Sequence, residues 1–85
     1  SSNRESGEGR YDIQLLPKNI DMPSIIIEIK ATTDTSDAGL KKLAAEALAQ
    51  IEAKKYDTEL RKQGIKTVYK YGIAFSGKKV EIKTN

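Results

Sequence analysis

The stretch that most constrains this chain is Pro23-Ser24-Ile25-Ile26-Ile27-Glu28-Ile29-Lys30, where four isoleucines crowd into eight positions. β-Branched side chains lose rotamer freedom in a helix and pack well on a pleated surface, so the stretch reads as a strand. Its nearly continuous apolar run suits a central strand covered on both faces. A central strand needs neighbours, and the chain offers them on both sides. Arg10-Tyr11-Asp12-Ile13-Gln14-Leu15-Leu16 alternates and stops at Pro17, which marks a strand, and the short link at residues 18–22 suits an antiparallel hairpin. Downstream, residues 67–75 set Tyr69, Tyr71, Ile73 and Phe75 on one face against Val68, Lys70, Gly72 and Ala74 on the other. The aromatic face is expected to point at a helix as core rather than to stack bases. Ser76-Gly77-Lys78 supplies a turn, and Lys79-Val80-Glu81-Ile82-Lys83 returns as a charged edge strand. Residues 1–9 are polar and read as a loop or frayed edge.

Between the two pairs of strands, Leu40, Leu43, Ala44, Ala47, Leu48 and Ile51 recur at three- and four-residue steps and form one helical stripe. Thr35 or Ser36 can cap its start, and Asp37 suits the first turn. A break is expected near Lys55-Tyr56, followed by a segment at 57–63 that Gly64 ends. The order is β-β-α-β-β, an α/β domain in which the helix connects Lys30 to a neighbouring strand that can lie parallel.

At 85 residues the chain makes one small domain. With no His and no Cys, it excludes Ser-His-Asp hydrolysis, cysteine nucleophiles, zinc fingers, haem or iron–sulfur ligation, and disulfides. Carboxylate, lysine and hydroxyl chemistry remain, together with a hard metal. No span reaches the ~20 apolar residues of a membrane helix, so no membrane association is expected. The start has neither an initiator Met nor a signal core, which reads as a boundary inside a longer, cytoplasmic protein. The net charge of +3 is unevenly spread. Six basic residues stand against eight acids through Ile51, and nine against four from Glu52 onward. Clustered acids for a cation and spread amines for phosphates suit an enzyme acting on a polyanion, and a solvated surface would look the same.

Asp12, Glu28 and Lys30 are charged residues set inside strands. Alternation puts Glu28 and Lys30 on one face, about 7 Å apart. If Pro17 faces Pro23 across the hairpin, Asp12 lies directly opposite Glu28. Two adjacent carboxylates repel unless a cation neutralises them. Together with the carbonyl of Ile29 they make a hard oxygen site for Mg²⁺, with Mn²⁺ as an alternative, and Lys30 projects to the same side, where it can orient the attacking water. The competing reading is a strand-to-strand salt bridge of Lys30 with either acid.

The ordered segments Asn3-Arg4-Glu5-Ser6-Gly7, Gly9-Arg10-Tyr11-Asp12, Ile27-Glu28-Ile29-Lys30, Ala47-Leu48-Ala49-Gln50-Ile51 with Lys55-Tyr56, and Tyr71-Gly72-Ile73-Ala74-Phe75 before Gly77-Lys78 resemble the PD-(D/E)XK nuclease superfamily. They are most similar to the predicted nuclease domain at the C-terminus of bacterial AAA-ATPase-like proteins. The resemblance implies a restriction-endonuclease-like mixed sheet and Mg²⁺-dependent phosphodiester hydrolysis, with DNA favoured over RNA. Asp12 and Glu28 would be metal ligands and Lys30 the catalytic lysine. Gln50, on the helix after the E-x-K strand, is an auxiliary candidate, although an amide flanking the apolar stripe explains it equally well. Tyr11 replaces the Pro of the motif, and Gln50 and Tyr56 stand six apart, so the Q-x-x-x-Y pattern is not reproduced. Lys54, Lys55 and Arg10 are candidates for gripping nucleic-acid phosphates.

The resemblance also implies a helix and a strand ahead of Asp12, where only residues 1–9 are available. The first helix is therefore expected to be missing, and residues 1–85 to form one truncated domain. Glu5 is a second auxiliary candidate, as the upstream acid. An uncovered sheet face would favour a homodimer, and an ATPase module of the same longer chain is an expected partner. A silent nuclease-like module that targets nucleic acid or another protein is the alternative.

Overall fold

In the computed structural model, which describes residues 2–5 and 8–85 and the side chains from Arg10 onward, the strand pairs expected from the pattern form around one helical layer. The elements are β1 (Ser2–Glu5), β2 (Glu8–Leu15), β3 (Ser24–Ala31), α1 (Asp37–Lys54), α2 (Tyr56–Lys62), β4 (Val68–Ser76) and β5 (Lys79–Thr84). The strands lie in chain order in a mixed five-stranded sheet. β3 and β4 are parallel, joined by the helices, and the other neighbours are antiparallel.

One expectation changes at the N-terminus, where the backbone of residues 2–5 forms an edge strand, with Asn3 opposite Arg10, instead of a loop. Backbone hydrogen bonds carry an edge pairing, so its polar side chains left no apolar alternation to read. The β2–β3 connection is longer than a tight hairpin and spans residues 16–23. Within it Asn19 accepts from the Asp21 and Met22 backbone N–H groups, through Oδ1 at 3.0 Å and the carbonyl at 3.2 Å.

Ser36 caps α1, its Oγ accepting from the Gly39 N–H at 3.1 Å, and Asp34 Oδ1 in turn accepts from the Ser36 N–H at 2.9 Å. Leu40, Ala44, Ala47 and Ile51 are buried. The helix ends at Lys55, whose φ of 54° turns the chain into α2. Leu60 from α2 then joins Ile26, Ile51, Ile65 and Val68 in one core cluster, while Leu40, Ala44 and Ala74 form a second. Between the two clusters α1 presses on β4 at Gly72. A Cβ there would collide with the Ala44 carbonyl oxygen and the Leu48 backbone nitrogen.

Both helices cover the same sheet face, the one bearing Ile26, Val68 and Ala74. Lys70 is buried on this face and pairs with Asp57 Oδ2 at 3.4 Å and Glu52 Oε2 at 3.6 Å. Burial raises the Asp57 carboxyl, but the charge and hydrogen bond of Lys70, a backbone N–H and Arg61 together outweigh it and hold the group below the ordinary aspartate range.

The opposite face differs from expectation. Tyr69, Tyr71, Ile73 and Phe75 point away from the helices, as do Ile25, Ile27 and Ile29, so β3 is covered on one face only among the described residues. Ile13, Leu15, Val80 and Ile82 extend this surface, and among the described side chains of β2 to β5 none on it is charged. The aromatics could not settle which face the helix would take. Gly72 and Ala74 settle it, because only small residues let a helix backbone approach so closely.

Candidate active site

The site is built on β2 and β3, at the edge of the α1 layer. Asp12 lies directly opposite Glu28, and Arg10 opposite Lys30. All four side chains therefore share the helix-covered face, since paired residues point to the same side. On the other side of β3, Glu28 is in register with Gly72, so the sheet floor there is bare backbone and α1 closes over it. This leaves the Glu28 side chain only 1% exposed.

A buried carboxyl needs partners, and two cations supply them. Arg10 Nε donates to Glu28 Oε2 at 2.9 Å. Lys54, on the last turn of α1, places Nζ 3.2 Å from Asp12 Oδ2 and 3.6 Å from Glu28 Oε1, bridging the two acids. Helical side chains lean toward their helix N-terminus, which directs the Lys54 stem back over the sheet. The Lys54 ammonium also lies 5.9 Å from the centre of the Tyr56 ring. Tyr56 lines a cleft of about 250 Å³ with Asp12, Ile13, Gln14, Ile26, Ile27 and Glu28.

The two acids are unequal. Burial pushes the Glu28 carboxyl up, and the adjoining Asp12 pushes it further, against the pull of Lys54 and Arg10. Asp12 is held low, first by the adjoining Glu28 carboxyl, which can donate to it only when protonated, and then by Lys54, against its own partial burial. Such a divergence is what neighbouring carboxyls show when they compete for one proton. Lys54 is raised, because its contacts with Asp12 and Glu28 outweigh its desolvation.

One oxygen remains unanswered. Asp12 Oδ1 is buried and accepts no hydrogen bond from the protein. An orphaned carboxylate oxygen beside a second, fully buried carboxyl fits a hard cation, and all the side-chain donors are oxygens, which suits Mg²⁺ better than a soft metal. Among the described residues no group of three or more Asp, Glu, His or Cys side chains gathers. A metal here would rest on two carboxylates and take its other ligands from backbone and water. Ile29 follows Glu28 in β3, with its side chain on the open face.

Of the other sequence candidates, Lys30 is half-buried beside the pair but forms no ion pair with Asp12 or Glu28, whose partners are Arg10 and Lys54. Gln50 is half-buried one turn before Lys54, and its Oε1 is buried with no hydrogen-bond partner. Lys55 is exposed at the helix junction. The Glu5 side chain lies outside the described residues. Sequence reasoning assigned no role at the carboxylates to Lys54 and no cleft to Tyr56. The signal available for Lys54 was its four-residue spacing from Gln50 along the helix.

No helix among the described residues is long and apolar enough to cross a membrane. Neither a curated protein sequence nor a solved structure matches the chain. One family model does, that of the PD-(D/E)XK nuclease superfamily, and it spans residues 1–85. With the match covering the whole chain, and a mixed α/β sheet carrying Asp12, Glu28 and Lys30 on adjoining strands, the protein belongs to the PD-(D/E)XK nuclease superfamily.

Proposed function

We propose that the protein is a Mg²⁺-dependent nuclease that hydrolyses phosphodiester bonds, with DNA as the favoured substrate. The observation carrying this reading is the Asp12–Glu28 pair, held face to face across two strands, with a buried Asp12 oxygen that no protein group satisfies. Asp12 and Glu28 would hold the metal, with the Ile29 carbonyl as a third donor. When bound, the ion supplies Lewis-acid polarisation of the phosphate and lowers the pKa of a water.

The remaining chemistry belongs to the chain. Lys30 projects from the same face two residues beyond Glu28, outside the ion pairs that occupy Arg10 and Lys54. It orients the attacking water and offsets the charge that grows on the phosphate oxygens. Gln50 offers a buried, unpaired carbonyl oxygen near the helix end, suited to accept from that water. Arg10, Lys54 and Lys55 grip backbone phosphates. Contacts of this kind position a strand without reading bases, so binding is weakly sequence-selective and falls steeply with salt. The resemblance to nuclease domains of AAA-ATPase-like proteins makes an ATPase module the proposed partner.

A second reading is a silent nuclease-like module. The observation favouring it is that Arg10 and Lys54 already neutralise the acidic pair without a metal. An assay of circular and linear DNA and of RNA, with Mg²⁺ or with chelator, separates the two. The nuclease reading expects Mg²⁺-stimulated cleavage that the chelator abolishes. Tight, salt-sensitive binding without cleavage on any substrate leaves only the module.

A further inference from the structure

Among the described residues, Lys54 is the one cation whose ion pairs reach both acids. Arg10 reaches Glu28 alone, through Oε2, whereas Lys54 Nζ sits between Asp12 Oδ2 and Glu28 Oε1. Its ammonium occupies one oxygen of each acid, so a divalent ion drawn to both carboxylates would compete with it for them. A lysine stem is flexible and its ammonium is a compact charge, so it can leave one site for another with little cost in backbone strain. The face of the Tyr56 ring lies 5.9 Å away and offers the ammonium a second resting place beside the cleft.

We propose that Lys54 is a resident counter-cation of the Asp12–Glu28 pair that a divalent metal must displace, so that metal entry frees its ammonium for the substrate phosphates. The device keeps the acids folded and paired while no metal is present, and it sets the metal affinity below what two facing carboxylates would otherwise give. It rests on the reading of Asp12 and Glu28 as metal ligands. Removing a positive charge this close to the ligand oxygens strengthens the attraction for a divalent cation, whereas a purely structural lysine would weaken metal binding when lost.

The test is a Mn²⁺ titration of the whole chain, followed by electron paramagnetic resonance of free Mn²⁺, on wild type, Lys54→Met and Asp12→Asn. Lys54→Met is expected to bind Mn²⁺ about tenfold more tightly than wild type, and Asp12→Asn to lose binding. Unchanged or weaker binding in Lys54→Met, with binding still lost in Asp12→Asn, overturns the displacement and leaves the metal site standing. Full binding in Asp12→Asn overturns the site and the displacement together. Should Lys54→Met fail to fold, ¹³C-lysine-labelled wild type titrated with Mg²⁺ gives the answer. The Lys54 side-chain signal is expected to shift and sharpen as the ammonium is released, and an unmoved signal at saturating metal refutes the proposal.

Discussion

Asp12→Asn and Lys30→Met are each expected to abolish Mg²⁺-dependent cleavage while leaving the fold in place. The two acids are not interchangeable. Asp12 is held ionised and carries the orphaned oxygen, whereas burial drives Glu28 toward its neutral form. Converting Asp12 to an amide therefore removes the charge most available to a metal. Its structural cost is small, because the Asp12–Lys54 pair is about one-third exposed on both sides, and such pairs contribute roughly 1 kcal/mol or less. Lys30 forms no ion pair with either acid, and methionine keeps most of its stem, so the loss falls on chemistry. A group that positions or deprotonates the water is worth about 10²–10⁴-fold in rate. Cleavage rates on DNA, read beside thermal midpoints, check both variants. Wild-type cleavage in either one removes that residue from the site.

Gly72→Ala should be the most damaging alanine substitution among the described glycines, since its new Cβ meets helix backbone. The added Cβ meets backbone atoms of α1 at Ala44 and Leu48, which cannot rotate away as a side chain could. The helix must lift off β4, opening both core clusters and the lid over Glu28. Overpacking costs about 1–3 kcal/mol, and a clash with backbone falls at the upper end of that range, against a total of about 4–13 kcal/mol for a chain of this length. Gly77→Ala is the control. Its φ of 61° is strained for alanine, but the new methyl meets nothing within 4 Å, so about 1 kcal/mol is expected. Urea denaturation of both variants checks the contrast, and equal losses would mean that the α1–β4 approach does not limit stability.

These two predictions draw on different depths of the sequence. The pairing of Asp12 with Glu28 was legible because strand alternation and a proline-bounded connection together fix register, and a slip of one residue would have turned the acids apart. The α1 stripe and its Ser36 cap were legible for the same local reason. The partner of the acids was not. Lys54 is 42 residues from Asp12 and reaches it only after α1 has packed over β4, a tertiary fact that no local period encodes. The covered face was misread because four large residues on β4 carry a stronger hydrophobic signal than Gly72 and Ala74, although the helix needs the smaller pair. β1 was missed because a polar edge strand is specified by its backbone.

The central claim is that Asp12 and Glu28 jointly hold a divalent metal. The most direct measurement is an anomalous difference map from crystals of the chain soaked in Mn²⁺. A peak bonded to carboxylate oxygens of both residues at about 2.1 Å is the predicted result. Saturating Mn²⁺ with no peak between them, and the Lys54 ammonium still bridging the two acids, would contradict it.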